Sequence, residues 1–124
     1  IVVRRSFSDG IIVRGVPGEL QEAVLNLLHN ASDAMPEGGV LQVTLRVVEQ
    51  HAEIRITDSG VGMTPDVRER AFEPFFSTKG SRGTGLGLAE VYGIVKRHRG
   101  VVELDTAVGA GTSVIVRIPL SGGR

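Results

Sequence analysis

The chain has 124 residues, with fourteen basic side chains against fourteen acidic ones and 41% apolar residues, the proportions of one domain long enough to bury a proper core. Balanced charge argues against a nucleic-acid or anionic-membrane binder, so no nucleic acid and no membrane contact are expected of this domain. Cysteine is absent and no apolar run approaches the roughly 20 residues that span a bilayer, so the expectation is a cytoplasmic, monomeric domain.

Ile1 stands inside an apolar run, so residues 1–124 are expected to be a single domain cut from a longer protein. Residues 1–7 and 11–14 read as short strands around the turn sequence Ser8-Asp9-Gly10. From Pro17 to Met35 the spacing predicts a helix, with Leu20, Val24, Leu27, Leu28, Ala31, Ala34 and Met35 on its apolar face and Pro36-Glu37-Gly38-Gly39 as its stop. Leu41, Val43, Leu45 and Val47 alternate with polar residues, as do Ala52, Ile54 and Ile56 after a turn placed at Gln50-His51, which predicts a hairpin.

Between Asp58 and Gly83 the regular pattern lapses, apart from a short helix near Pro65 to Ala71; a connection of that length is usually a lid or a binding loop. A helix from about Thr84 to His98 follows, with Leu88, Val91, Tyr92 and Val95 on one face. Val102 and Leu104, then Val114, Val116 and Ile118, give two closing strands around Gly109-Ala110-Gly111. The expected class is α+β: a two-layer α/β sandwich, a mixed sheet of about five strands with helices over one face.

Four features point toward chemistry. In Arg82-Gly83-Thr84-Gly85-Leu86-Gly87-Leu88-Ala89, glycines at every second position lead into a helix. Without a Cβ the backbone can bring its N–H groups against an anion, and a helix start adds unpaired donors and partial positive charge. A linker or a tight packing point is the alternative reading. On the first helix, Asn26, Asn30 and Asp33 form a second stripe, and amide oxygens there suit a hard cation such as Mg²⁺; chance on a solvated face is the simpler account of the stripe alone.

Asp58 shares its parity with Ile54 and Ile56, which puts a carboxylate on the apolar side where the strand ends. Such a group needs a partner, either a ligand donor such as a purine amine or the N–H groups of the following turn, Ser59-Gly60-Val61-Gly62. Phe72, Phe75 and Phe76 cluster before Ser77-Thr78-Lys79, and core packing is expected of at least two of them. Lys79 and Arg82 flank the glycine segment, where cations meet terminal phosphates or simply face solvent.

In order, Asn26-Leu27-Leu28-His29-Asn30-Ala31, Asp58-Ser59-Gly60-Val61-Gly62, Phe72-Glu73-Pro74-Phe75-Phe76, Gly83-Thr84-Gly85-Leu86-Gly87-Leu88 and Gly109-Ala110-Gly111-Thr112 resemble the N box, first glycine box, F box, second glycine box and final glycine-threonine box of sensor histidine kinases. The resemblance covers nearly the whole chain and implies the catalytic and ATP-binding domain of a two-component kinase, with the Bergerat fold. It makes Asn30 the Mg²⁺ ligand and Asn26 a neighbour on the phosphate side. Asp58 accepts the adenine amino group, Gly60 and Gly62 make room for the ring, and Thr112 helps bind adenine through water. Gly83, Thr84, Gly85, Leu86, Gly87 and Leu88 hold phosphates, residues 65–83 form the ATP lid, and Thr78 and Lys79 lie along it. Lys79 joins Asn30 as a catalytic candidate.

Where hydrolysing relatives of that fold carry a general-base Glu, this chain has Asn26, and an amide cannot take a proton from water. Transfer of the γ-phosphoryl to another nucleophile is therefore expected, on a dimerisation domain of the parent protein that also meets a response regulator. His29, His51 and His98 lack the context of a phosphoacceptor, so the chain is expected to bind ATP without phosphorylating itself. A serine kinase or hydrolysing ATPase of the same fold is the rival enzyme reading, and a nucleotide-gated interaction module the rival outside enzymology. A membrane anchor elsewhere in the parent is compatible with all of these.

Overall fold

The computed structural model describes residues 1–7, 18–73 and 87–120. Eight elements occur in it: β1 (Val2–Phe7), α1 (Glu19–Asp33), β2 (Val40–Val48), β3 (His51–Asp58), α2 (Pro65–Arg70), α3 (Gly87–Arg97), β4 (Val101–Thr106) and β5 (Thr112–Pro119). The expected strand at 11–14 lies outside the described residues. The strands form one sheet in the order β1-β2-β3-β5-β4, with β1 parallel to β2 and every other pair antiparallel, the mixed α+β sandwich expected.

Register sorts the side chains into two faces. One face carries successive cross-strand rows: Val43, Ile56, Val114 and Leu104, then Leu45, Ile54, Val116 and Val102, then Val47, Ala52 and Ile118. On it pack Ala23, Leu27 and Ala31 of α1, Met35 just beyond its end, and Val91, Ile94 and Val95 of α3, which with these rows make the core. Ala23 and Ile94 belong to that core although the sequence pattern passed them over. Tyr92, expected on the apolar face of α3, is 42% exposed and instead stacks on Phe72 at 5.4 Å with Lys96 over its ring. Its position between two buried residues, Val91 and Ile94, places it on the rim of the stripe.

Helix bounds follow local chemistry. α1 starts after Gly18, whose φ of 85° suits glycine, and ends at Asp33, two residues short of Met35. Met35 precedes Pro36, and the residue before proline is driven out of the helical region. Thr64 caps α2 by accepting the Val67 N–H, with Pro65 in the first turn where its missing N–H is harmless. The β2–β3 turn is Glu49-Gln50, not Gln50-His51: both have positive φ, at 51° and 67°, and His51 already pairs with Val48. That two-residue geometry matches the twist of the strands it joins, which moves His51 into β3. Among the described residues no helix is long and apolar enough to cross a membrane.

The face away from the helices holds a buried ion cluster. Glu53 is 1% exposed there and accepts from Arg46 Nε at 2.9 Å and Arg117 Nε at 3.1 Å, while Arg117 also donates to Glu103 at 2.9 Å. Despite burial, the two guanidinium groups hold the Glu53 carboxyl below its ordinary range.

Candidate nucleotide site

One more row completes the helix-covered face: Leu41, Asp58, Thr112 and Thr106, paired across β2, β3, β5 and β4. Hydrocarbon gives way to polar groups at this end of the sheet. Asp58 is 6% exposed, and its carboxylate accepts the main-chain N–H of Gly60 at 2.9 Å and that of Thr112. Desolvation outweighs both bonds and pushes its carboxyl above the usual range. Among the described residues no lysine or arginine pairs with it.

The loop after Asp58 is clamped from both sides. A Cβ on Gly60 would lie 2.3 Å from the carbonyl oxygen of Ala34, and one on Gly62, whose φ is 74°, would lie 1.9 Å from that of Ala107. Glycine is thus required at both positions by protein packing alone. Val61 N–H donates to Ala34 O at 3.3 Å, and Val61 O accepts from Gly109 N–H at 2.8 Å. The end of α1 and the β4–β5 turn therefore fix this loop, with Asn30 one helical turn back from Ala34.

Thr106 ties the floor together. Its Oγ1 accepts from Met63 N–H at 3.0 Å and lies 2.8 Å from Thr112 Oγ1 and 3.0 Å from Gly111 O. Apolar alternation in β4 is evident only to Leu104, and the parity of Thr106 with Val102 and Leu104 is the signal that it shares their face. Ser59 Oγ accepts the Val40 N–H at 2.9 Å, which secures the start of β2.

Two pairs set the helices above this row. Glu19 accepts from Arg97 at 3.0 Å, and Asn26 Nδ2 donates to Glu90 Oε1 at 2.9 Å, so α1 and α3 run antiparallel. Continuing α1 by one turn places Asn30 level with the start of α3 at Gly87. Asn26 and Asn30 are half-buried, whereas Asp33 on the expected stripe is exposed. Leu88 turns its side chain toward the core. Thr78, Lys79, Gly83, Thr84, Gly85 and Leu86 lie outside the described residues, as do Phe75 and Phe76.

A helix pair laid on one face of a mixed sheet, with a buried aspartate and a glycine-clamped loop at the end of that face, is the Bergerat arrangement of an ATP-binding kinase domain. Residues 15–122 match the family described as histidine kinase-, DNA gyrase B-, and HSP90-like ATPase, and the chain belongs to it. It is similar to sporulation kinase E of Bacillus subtilis, 40% identical over 105 residues that cover 84% of this chain and 14% of the kinase. It also resembles the histidine protein kinase DivJ of Caulobacter vibrioides, 37% identical over 94% of this chain and 22% of that protein. The chain thus spans a small part of the relatives it matches. Among solved structures, a mycobacterial sensor histidine kinase, MprB, superposes with a TM-score of 0.86 at 35% identity, covering 96% of this chain and 81% of the other. Full-length ShkA, solved in complex with AMPPNP, gives 0.76 at 26% identity, covering 96% of this chain and 26% of that one. The family and the fold follow from these likenesses together.

Proposed function

We propose that residues 1–124 form one domain that binds Mg-ATP over the Asp58 row and donates the γ-phosphoryl group to a histidine on the dimerisation domain of its parent kinase. The observation that carries this reading is Asp58: a carboxylate desolvated at the end of the core, held by main-chain donors and raised above its usual range. A group in that state gains from a further donor, and an adenine amine is a donor of the right kind. Sensor kinases are among the relatives of this chain, and the similar ShkA structure is a complex with AMPPNP.

The donor set suits a magnesium nucleotide. Asn30, half-buried on α1, would offer an amide oxygen to the metal, and main-chain N–H groups of the sequence Gly83-Thr84-Gly85-Leu86-Gly87 would meet the phosphates. Magnesium held at Asn30 would neutralise charge on the phosphate oxygens. Lys79 would add a cation from the lid, with Thr78 beside it, and Thr84, Leu86 and Leu88 would contribute main-chain N–H groups. Gly60 and Gly62, which let the loop pack against the Ala34 and Ala107 main chain, would set that loop beside the adenine ring, and Thr112 would hold a water against the base. Because Asn26 takes the place of a general base, these residues orient the nucleotide and leave water unactivated, so positioning and charge neutralisation carry transfer.

The whole protein would dimerise through helices outside this chain and pass the phosphoryl group on to a response regulator. Joining the chain to those helices and adding γ-labelled ATP tests the reading. Label should appear on histidine, acid-labile and base-stable, and the chain alone should release little phosphate. Rapid phosphate release by the chain alone would favour a hydrolysing ATPase instead.

A further inference from the structure

Asn26 and Glu90 meet across the α1–α3 interface although they are 64 residues apart in sequence. Asn26 Nδ2 donates to Glu90 Oε1 at 2.9 Å, from a half-buried position one turn before Asn30. Glu90 lies in the first turn of α3, where a negative side chain is favoured by the helix dipole. Glu22, one turn further back on α1, neighbours the same carboxylate, whose proximity and charge raise the Glu22 carboxyl above its ordinary range. Glu19 and Arg97 close the far end of the line. Three α1 residues at four-residue spacing, Glu22, Asn26 and Asn30, thus lead from the acidic pair to the candidate metal ligand.

An ionised carboxylate only accepts hydrogen bonds, so the limb of the Asn26 amide that faces Glu90 must be its nitrogen. The oxygen is then the limb turned away from Glu90. On the nucleotide reading proposed above, we infer that Glu90 is a positioning residue that fixes the Asn26 amide so that Oδ1, an acceptor, is the atom offered toward the nucleotide. An acceptor there is suited to a proton of a metal-bound water and is unsuited to a phosphate oxygen. Glu90 thereby tunes the metal side of the site from a helix that carries no metal ligand of its own.

The test compares Glu90→Gln, which keeps an acceptor, with Glu90→Leu, which removes it, each alone and combined with Asn26→Ala. In the nucleotide-free chain, NMR should show the hydrogen-bonded Asn26 side-chain proton shifted downfield in wild type and Glu90→Gln, and the shift lost in Glu90→Leu. By calorimetry, Glu90→Leu should weaken Mg-ATP about tenfold, leave metal-free ATP unchanged, and be rescued to within about threefold by Glu90→Gln. In the Asn26→Ala background, Glu90→Leu should add nothing. An Asn26 resonance indifferent to Glu90→Leu overturns the inference, and so does an equal loss in the Asn26→Ala background. Wild type that takes up no Mg-ATP would bring down the nucleotide reading and this inference together. Normal uptake by wild type and Glu90→Leu alike would bring down the positioning role alone.

Discussion

β3 carries two buried carboxylates five residues apart on opposite faces of one sheet, and they are in opposite states. Glu53 is covered by the stems of Arg46 and Arg117, which donate to both of its oxygens and lower its pKa. Asp58 is almost as deeply covered, but its donors are main-chain amides, and burial raises its pKa. A carboxylate whose charge is met by the protein belongs to the fold. One whose charge is met only in part suits the ligand-binding role proposed for Asp58.

The largest effect expected from breaking this comparison lies on the Glu53 side. Glu53→Ala leaves Arg46 and Arg117 facing each other over a cavity and should destabilise the domain by about 3 kcal/mol, the low end for a broken buried pair because Arg46 is largely exposed. Thermal unfolding should show a Tm lower by about 10 °C, while the Mg-ATP affinity of the folded fraction stays within twofold of wild type. Lost affinity at unchanged Tm would reverse the roles assigned to the two groups.

Asp58→Asn should do the opposite. The charged acceptor is replaced by a neutral amide, so Mg-ATP binding should weaken by about 1.5–3 kcal/mol, ten- to a hundredfold. Tm should hold or rise, because a desolvated charge is removed. Calorimetry and a melting curve on the same sample check both halves. A lower Tm with intact affinity would make Asp58 a turn-capping residue only.

Acid titration sharpens the contrast by sign. The folded pKa of Glu53 is depressed, so its stabilisation is present above the unfolded value near 4.5 and is lost as pH falls through the folded value. The folded pKa of Asp58 is raised, so its contribution is favourable below the unfolded value near 3.8 and is lost as pH rises through the folded one. Between pH 5 and 3, denaturant unfolding should therefore fall less steeply for Glu53→Gln than for wild type, and more steeply for Asp58→Asn. Parallel slopes for all three proteins would show that the two carboxylates do not differ in this way.

Asp58 was legible in the sequence because parity along β3 puts it with Ile54 and Ile56, and its isolation among apolar residues is itself a signal. The same parity puts Glu53 on the polar face, where it lies, but alternation does not show that arginine side chains will bury it there. Asn26 and Asn30 were found from spacing, whereas Glu90 was not, since its contact with Asn26 exists only once α1 and α3 pack antiparallel. Helix ends and the hairpin turn slipped by one or two residues for a related reason. Pro36 and the two-residue turn act through local backbone geometry that apolar periodicity does not register.

The smallest expected effect lies at that turn, which joins β3 at the Glu53 end, far from Asp58. Glu49 and Gln50 both hold positive φ, a region that side chains with a Cβ adopt at a cost of roughly 1–2 kcal/mol each. Replacing the pair by Asn-Gly, the sequence that two-residue hairpins favour, should relieve part of this and stabilise the domain by about 1 kcal/mol. His51 Nδ1, 2.9 Å from Glu49 O, keeps its partner because that oxygen belongs to the main chain. The gain should appear in denaturant midpoint with an unchanged slope, and Mg-ATP affinity should not move. Were affinity to change with the turn, the two ends of β3 would be coupled through the strand, and the separation of a fold carboxylate from a site carboxylate would no longer hold.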